Sequence, residues 1–383
     1  MSRARRVVTA GALSTGVASA LAARAAYRAL RRHPPAGEQT WTRTNHRREL
    51  VTLLEGPAVA VGAITASVLG AAVAGRQGKA QTPQSLERAV GSRSPLALAV
   101  TGGGALAFGV LDDLAGSGKR RGLAGHLGAL RHGEVTTGAV KLAGLAATGL
   151  AGGLVLGGSR TDVVINTGLI AGGANLLNLF DLRPGRAIKV ATLSAGLIAV
   201  GGAATGPDRS AGLTAVAAPL GAGLALLPED LGERAMLGDA GANALGAMLG
   251  AAAAQALSRP ARAGLLAGIV ALTVASEKVS FTKVIEATPV LRRLDMLGRR
   301  PAPVGPAAAD VAALVIPARA DTDSAVSANA APGAPAAADG MAVPPPPGRR
   351  AGRHRRVESG ASRDRSIARF FEFSLQMLVR QEP

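Results

Sequence analysis

Two aspartates stand side by side where an apolar run ends. In Phe108–Gly122, FGVLDDLAGSGKRRG, Asp112 and Asp113 close the run Pro95–Leu111 and are followed by Lys119, Arg120 and Arg121. An ionised carboxylate inside hydrocarbon costs about 2.5–3.5 kcal/mol on insertion scales, so the pair belongs where water or a cation reaches it. Neighbouring carboxylates also repel each other unless a metal ion or a cationic group lies between them. An acidic pair at a membrane surface is therefore a candidate site. Taken alone, the stretch fits a helix end that merely faces water at least as well.

Further constellations share the predicted membrane face of that pair. In NLLNLFDLRPGR (Asn175–Arg186), Asn175, Asn178 and Asp181 recur every third residue and so share one side of a helix, which Pro184 and Gly185 then end. Polar side chains at the end of a lipid-embedded helix imply a cavity, or asparagines that hold helices together. In MLGDAGANALGAMLG (Met236–Gly250), Asp239 lies between Gly238 and Gly241, with Asn243 one turn later. Glycines admit close approach of backbone or ligand, and an aspartate there suits Mg²⁺ that carries phosphates. An N-cap at a helix start explains the same aspartate, and on spacing alone is the better account. In Thr42–Leu50, Asn45, Arg47 and Arg48 form a cationic patch suited to phosphate, or a plain positive-inside loop.

The elements that must position these residues are membrane helices. The chain has 383 residues, is 48% hydrophobic and carries a net charge of +18, with no cysteine and therefore no disulfide. Mean hydropathy is +0.26. The basic residues sit between apolar runs instead of forming one stripe, which argues for a basic membrane protein and against a nucleic-acid binder. Alanine and glycine dominate the runs, as close helix approach in lipid requires. Apolar runs at Val7–Ala22, Val51–Ala74, Pro95–Leu111, Ala139–Leu156, Val163–Leu179, Ala187–Ala204, Ala211–Leu227, Ala235–Leu257 and Ala261–Val279 give an all-α polytopic bundle of about nine to ten spans. Val7–Ala22 also suits a cleaved signal peptide, but the spans that follow favour a first membrane helix. Lysines and arginines are more numerous in the loops holding the acidic motifs, which puts those loops in the cytoplasm.

Residues 1–300 thus form the membrane domain, and 301–383 a separate tail. Rich in Ala, Pro, Gly and Arg, with the run PPPPGRRAGRHRR, this basic tail is expected to be disordered. Its end, SIARFFEFSLQMLVRQ, has the pattern of a short amphipathic helix for a membrane surface or a partner.

Together these stretches resemble the polyprenyl-phosphate N-acetylhexosamine-1-phosphate transferases, the family of the phospho-MurNAc-pentapeptide transferase and of GlcNAc-1-phosphate transferases. GVLDDL (Gly109–Leu114) resembles the family's aspartate pair, ANLLNLFD (Ala174–Asp181) its N-x-x-D-G-x-D segment, and MLGDAGANALG (Met236–Gly246) its G-D-x-G segment. RTNHRREL is similar to the first cytoplasmic loop of the GlcNAc-type members. The resemblance implies a plasma-membrane enzyme of cell-envelope synthesis with a cytoplasmic active site and tail. It would move sugar-1-phosphate from a UDP-sugar to polyprenyl phosphate, releasing UMP with Mg²⁺, with a homodimer as its assembly. It further implies Asp239 on the metal, Asp112 or Asp113 near the lipid phosphate, and Asp181 near the sugar nucleotide. Asn45, Arg47, Arg48, Lys119, Asn175, Asn178, Asn243, Arg292 and Arg293 would contact substrate.

The departures are specific. Asn178 and Leu179 replace an aspartate and a glycine of the family pattern, and the first lysine after the aspartate pair, Lys119, comes late. The family's histidine cluster is missing from Ser280–Pro301. Arginines there suit phosphate but cannot act as a proton-transferring imidazole. A catalytically silent relative that binds polyprenyl phosphate or nucleotide-sugar and regulates envelope assembly is the competing expectation. A transporter is disfavoured, because the acids cluster at span ends and no internal repeat is found.

Overall fold

The computed structural model describes residues 3–78, 93–115, 136–204 and 210–301. Lys119, the basic tail and its terminal amphipathic stretch lie outside the described residues. The chain begins with α1 (Arg3–Arg32) and a short α2 (Glu38–Trp41). A hairpin of β1 (Thr42–Thr44) and β2 (Leu50–Thr52) follows, antiparallel, with Thr42 opposite Thr52 and Thr44 opposite Leu50. Then come α3 (Glu55–Gly78), α4 (Ser94–Ala115), α5 (Thr137–Leu156), α6 (Arg160–Phe180), α7 (Arg186–Ala204) and α8 (Ser210–Leu231). The bundle is completed by α9 (Gly238–Ala256), α10 (Arg259–Ser276), α11 (Phe281–Ala287) and α12 (Pro289–Met296).

The hairpin is a departure from the all-α expectation. It lies where a polar, arginine-rich loop is predicted, and it joins the start of the central helix through the Met236 N–H, which donates to the Thr52 carbonyl at 2.9 Å. Trp41 beneath it is buried, its indole N–H donating to the Pro35 carbonyl at 2.8 Å.

The organising element is α9. It is buried along nearly its whole length and packs against α3, α4, α5, α6, α7 and α8. Alanine and glycine allow this, because helices approach to backbone contact only where side chains are small. At Gly246 an added Cβ would lie 2.2 Å from the Gly173 carbonyl oxygen of α6. Overpacking of a tight interior typically costs about 1–3 kcal/mol. Gly246→Leu is therefore expected to reduce the yield of monodisperse protein in size-exclusion chromatography. Gly264→Leu on α10, where an added side chain meets open space, should leave it unchanged.

At the end of the bundle away from the hairpin, Ser159 and Asp162 form a capping box on α6. Asp162 also accepts from Arg262 of α10 at 2.8 Å, and Arg262 donates to Asn166 at 2.7 Å. These contacts tie α6 to α10.

Each apolar run of the sequence overlaps a helix, although Val51–Ala74 begins on β2 before α3 starts at Glu55. Among the described residues, five helices (α4 to α8) are long and apolar enough to cross a membrane, and α10 with α11 adds a sixth if that pair, bent by 94°, counts as one span. The expected nine to ten spans are not established. The physical reasons are local: α1 carries arginines at both ends, and the apolar part of α3 is the shorter stretch Glu55–Gly70. In α9, Asp239, Asn243 and Gln255 interrupt the alanines. Because its neighbours enclose it, α9 needs no lipid-facing apolar surface.

Candidate active site at the start of the central helix

The site is assembled where the C-terminal turn of α4 meets the N-terminus of α9. Gly109 permits the approach: a Cβ there would lie 2.5 Å from the Asp239 carbonyl oxygen. One helical turn further along α4, Asp113 then reaches the first N–H groups of α9. Its Oδ1 accepts from the Asp239 N–H at 3.1 Å and its Oδ2 from the Ala240 N–H at 2.9 Å. These donors have no partner within their own helix, and a carboxylate also complements the positive end of the helix dipole. Leu237, in the N-cap position of α9, makes no side-chain cap. Asp113 thus caps α9 from another helix, and Asp239 lies inside the first turn with its side chain free for other contacts. This corrects the reading of Asp239 as an N-cap.

Asp112 turns toward α5. Lys141 places its Nζ 2.8 Å from Asp112 Oδ2 and 2.7 Å from Asp239 Oδ2. The two carboxyl groups lie within hydrogen-bonding reach of each other, and the Thr137 hydroxyl also meets Asp112. A single ammonium therefore sits between two carboxylates from different helices. Arg43 of the hairpin donates through Nη2 to the Asp113 carbonyl oxygen.

Asp181 is the C-cap of α6, with the Gly238 N–H beside its carboxylate. Burial pushes Asp181 well above the usual carboxylate range. The neighbouring carboxylates of Asp230, Asp239 and Asp113 act in the same direction, and the Gly238 N–H opposes them. The adjacent pair Asp112 and Asp113 thus gathers with the sequence-distant Asp181 and Asp239 around one helix N-terminus.

The other predicted residues divide. Asn45 shapes the hairpin turn: its Oδ1 accepts from the Arg47 and Glu49 N–H groups at 2.8 and 2.9 Å, and its Nδ2 donates to Glu233 at 3.0 Å. Arg47 is engaged with Glu233 at 2.9 Å, and Arg48 is exposed in a left-handed backbone conformation, φ 65°. Asn175 and Asn178 are half-buried on α6. Asn243 is wholly buried in α9, with neither amide atom hydrogen-bonded. Arg292 and Arg293 face outward on α12, whereas Arg299 turns inward to Asp295 at 2.7 Å.

Sequence reasoning missed Lys141 and Arg43. Lys141 had a signal, as the one charged residue of the run Ala139–Leu156. Glu55 was missed as well: it is fully buried at the head of α3 with neither carboxylate oxygen hydrogen-bonded.

Among the described residues, no group of three or more His, Cys, Asp or Glu side chains is arranged to hold a metal ion. Asp112 and Asp239 nevertheless suit Mg²⁺, which typically uses one or two carboxylates together with substrate phosphates. The Lys141 ammonium marks their gap as a place for a cation. Lys141→Met is expected to leave a divalent-cation site behind. Millimolar Mg²⁺ should then raise the thermal midpoint of the variant by several degrees but barely move the wild type, since saturation at a hundred times Kd contributes about 2.7 kcal/mol. Equal, negligible responses of the two proteins would remove Asp112 and Asp239 as a cation pair. No protein-family model matches this chain, and no curated protein matches it.

Proposed function

We propose that the protein transfers sugar-1-phosphate from a UDP-sugar to a polyprenyl phosphate carrier in the plasma membrane, releasing UMP at the cytoplasmic face. The supporting observation is the convergence of Asp112, Asp113, Asp181 and Asp239 with Lys141 at the start of α9. An oxygen of the lipid phosphate attacks the phosphorus that bears the sugar, and the bond from that phosphorus to the oxygen of UMP breaks. The attacking group is a phosphate monoester, whose second ionisation lies near pH 6, so it arrives largely ionised. No imidazole is then needed to remove a proton, which is how the chemistry tolerates the missing histidines.

Asp239 and Asp112 are the residues that would hold Mg²⁺, which when bound neutralises the pyrophosphate charge. Lys141, within reach of both carboxylates, turns its ammonium to the phosphates. Asp113 holds the first turn of α9, and with it Asp239, in place. Arg43 braces the end of α4. Asp181 stands at the edge of the site for the sugar nucleotide.

A second reading has its own observation. Lys141 already occupies the gap between Asp112 and Asp239, as expected of a silent relative that binds lipid or nucleotide-sugar without turnover. Mg²⁺-dependent UMP release by the purified full chain, with polyprenyl phosphate and a panel of UDP-sugars, separates the two. Turnover with any donor supports the enzyme. Binding of polyprenyl phosphate without UMP release supports the silent relative.

The orientation has its own check in this cysteine-free chain. Thr44→Cys in the hairpin should be protected from a membrane-impermeant thiol reagent in intact cells, and Thr161→Cys at the opposite end of α6 should react. The reverse pattern would invert the topology.

A further inference from the structure

The α11–α12 hairpin carries an apolar face that the other described residues leave uncovered. Val290, Leu294 and Leu297 are 65%, 50% and 68% exposed, and their spacing of four and then three residues places them on one side of α12 and its C-cap. Asp295 points instead into the bundle and Arg292 to the far side of the helix. Val279 and Val284, before and within α11, are exposed too. Exposed Lys278, Lys283 and Arg293 border this face, against Glu277 and Glu286, of which Glu286 faces Arg183 at 4.0 Å.

The hairpin is held firmly in this pose. The Phe281 ring stacks on Phe180 at the end of α6, centroids 4.9 Å apart and planes 14° apart. Arg186 at the start of α7 donates to the Thr282 hydroxyl at 3.0 Å and to both oxygens of Asp295 at 2.7 and 3.1 Å. Lys189 adds a hydrogen bond to the Asp295 carbonyl at 2.6 Å. The hairpin is thus fixed at the level where α6 ends and α7 begins. Since α11 leaves α10 at 94°, a membrane-crossing α10 lays α11 along the plane of the bilayer.

We infer that the α11–α12 hairpin is a membrane-surface anchor: its apolar face enters the headgroup–acyl boundary, and its lysines and arginines bind acidic phospholipid headgroups. An apolar stripe bordered by basic residues has the composition of interfacial helices, and each cation near an anionic surface strengthens the attachment. This inference rests on the membrane reading of the helices and is independent of the transferase reading. A surface held parallel to the bilayer beside the candidate site would keep that site at the depth of lipid headgroups.

The test uses the full chain, with single cysteines at Val290, Leu294 or Arg292 carrying an environment-sensitive fluorophore, in vesicles of phosphatidylcholine with or without phosphatidylglycerol. Each labelled protein is first required to elute as the wild type does. Labels at 290 and 294 should show blue-shifted emission that nitroxide lipids quench about as well as a label at Val270→Cys on α10. The label at 292 should remain water-like. The double variant Lys283→Glu/Arg293→Glu should lose much of the added quenching that phosphatidylglycerol confers at 294.

Water-like, unquenched emission at 290 and 294 would overturn the anchor. Blue-shifted emission that nitroxide lipids do not quench, and that weakens on dilution with empty lipid, would assign the face to a second copy of the chain. Equal quenching at all three positions would bury the hairpin as a span, and that too defeats a surface anchor.

Discussion

Replacing Asp239 with asparagine should abolish UMP release while leaving the amount of folded protein unchanged. The side chain of Asp239 takes no part in capping α9; that task falls to Asp113, which accepts from the backbone of Asp239 and Ala240. Asparagine keeps the shape but removes the charge that, under the proposed mechanism, holds the metal, and Lys141 keeps its second partner, Asp112, at 2.8 Å. A loss of two to three decades in turnover, about 3–4 kcal/mol of barrier, is expected. Asp113→Ala gives the opposite signature. It strands two N–H groups at a buried helix start, each an uncompensated polar group costing about 1–3 kcal/mol, so folded yield falls together with activity. Wild-type turnover that persists in Asp239→Asn would refute the metal assignment. A wild type without turnover on any donor would favour the silent binder.

Asp295→Ala should strongly destabilise the bundle. It leaves Arg186, only 3% exposed, without its carboxylate, and removing one partner of a buried ion pair costs about 3–5 kcal/mol. The Thr282 hydroxyl still accepts from Arg186, but a neutral partner does not replace a charge. Limited proteolysis should then cut between α11 and α12 well before the rest of the domain, and the thermal midpoint should fall. An unchanged proteolytic pattern would show that the Phe281–Phe180 stack holds the hairpin alone. Acid should act on the same clamp. Burial raises Asp295, but the Arg186 hydrogen bonds and the charges of Arg186, Arg299 and Lys189 outweigh it and hold its carboxyl below the usual range. A depressed carboxylate contributes stability above its ordinary pKa and loses it as the pH falls through the lowered value. The clamp should therefore survive mild acid and open only below the ordinary carboxylate range.

The apolar runs were legible because hydropathy is a local property: each run from Val7–Ala22 to Ala261–Val279 overlaps a helix. The acidic motifs were legible for a related reason. A carboxylate at the end of an apolar run is expensive without a partner, so Asp112, Asp113, Asp181 and Asp239 drew notice one by one. Partners and roles were decided by the tertiary structure. Nothing in the spacing of Met236–Gly250 tells an N-cap aspartate from one capped by another helix; the close approach at Gly109 decides it by bringing Asp113 onto the α9 backbone. Nothing local joins Lys141 to Asp239, which are 98 residues apart, until α5 and α9 pack against the same end of α4. Asn45 reads as a phosphate contact in sequence and serves as a turn former in the fold, because its side chain is spent on the hairpin's own N–H groups. Composition alone marks α9 as one more span. Its neighbours make it the buried axis, since only a helix of alanine and glycine lets so many backbones approach it at once.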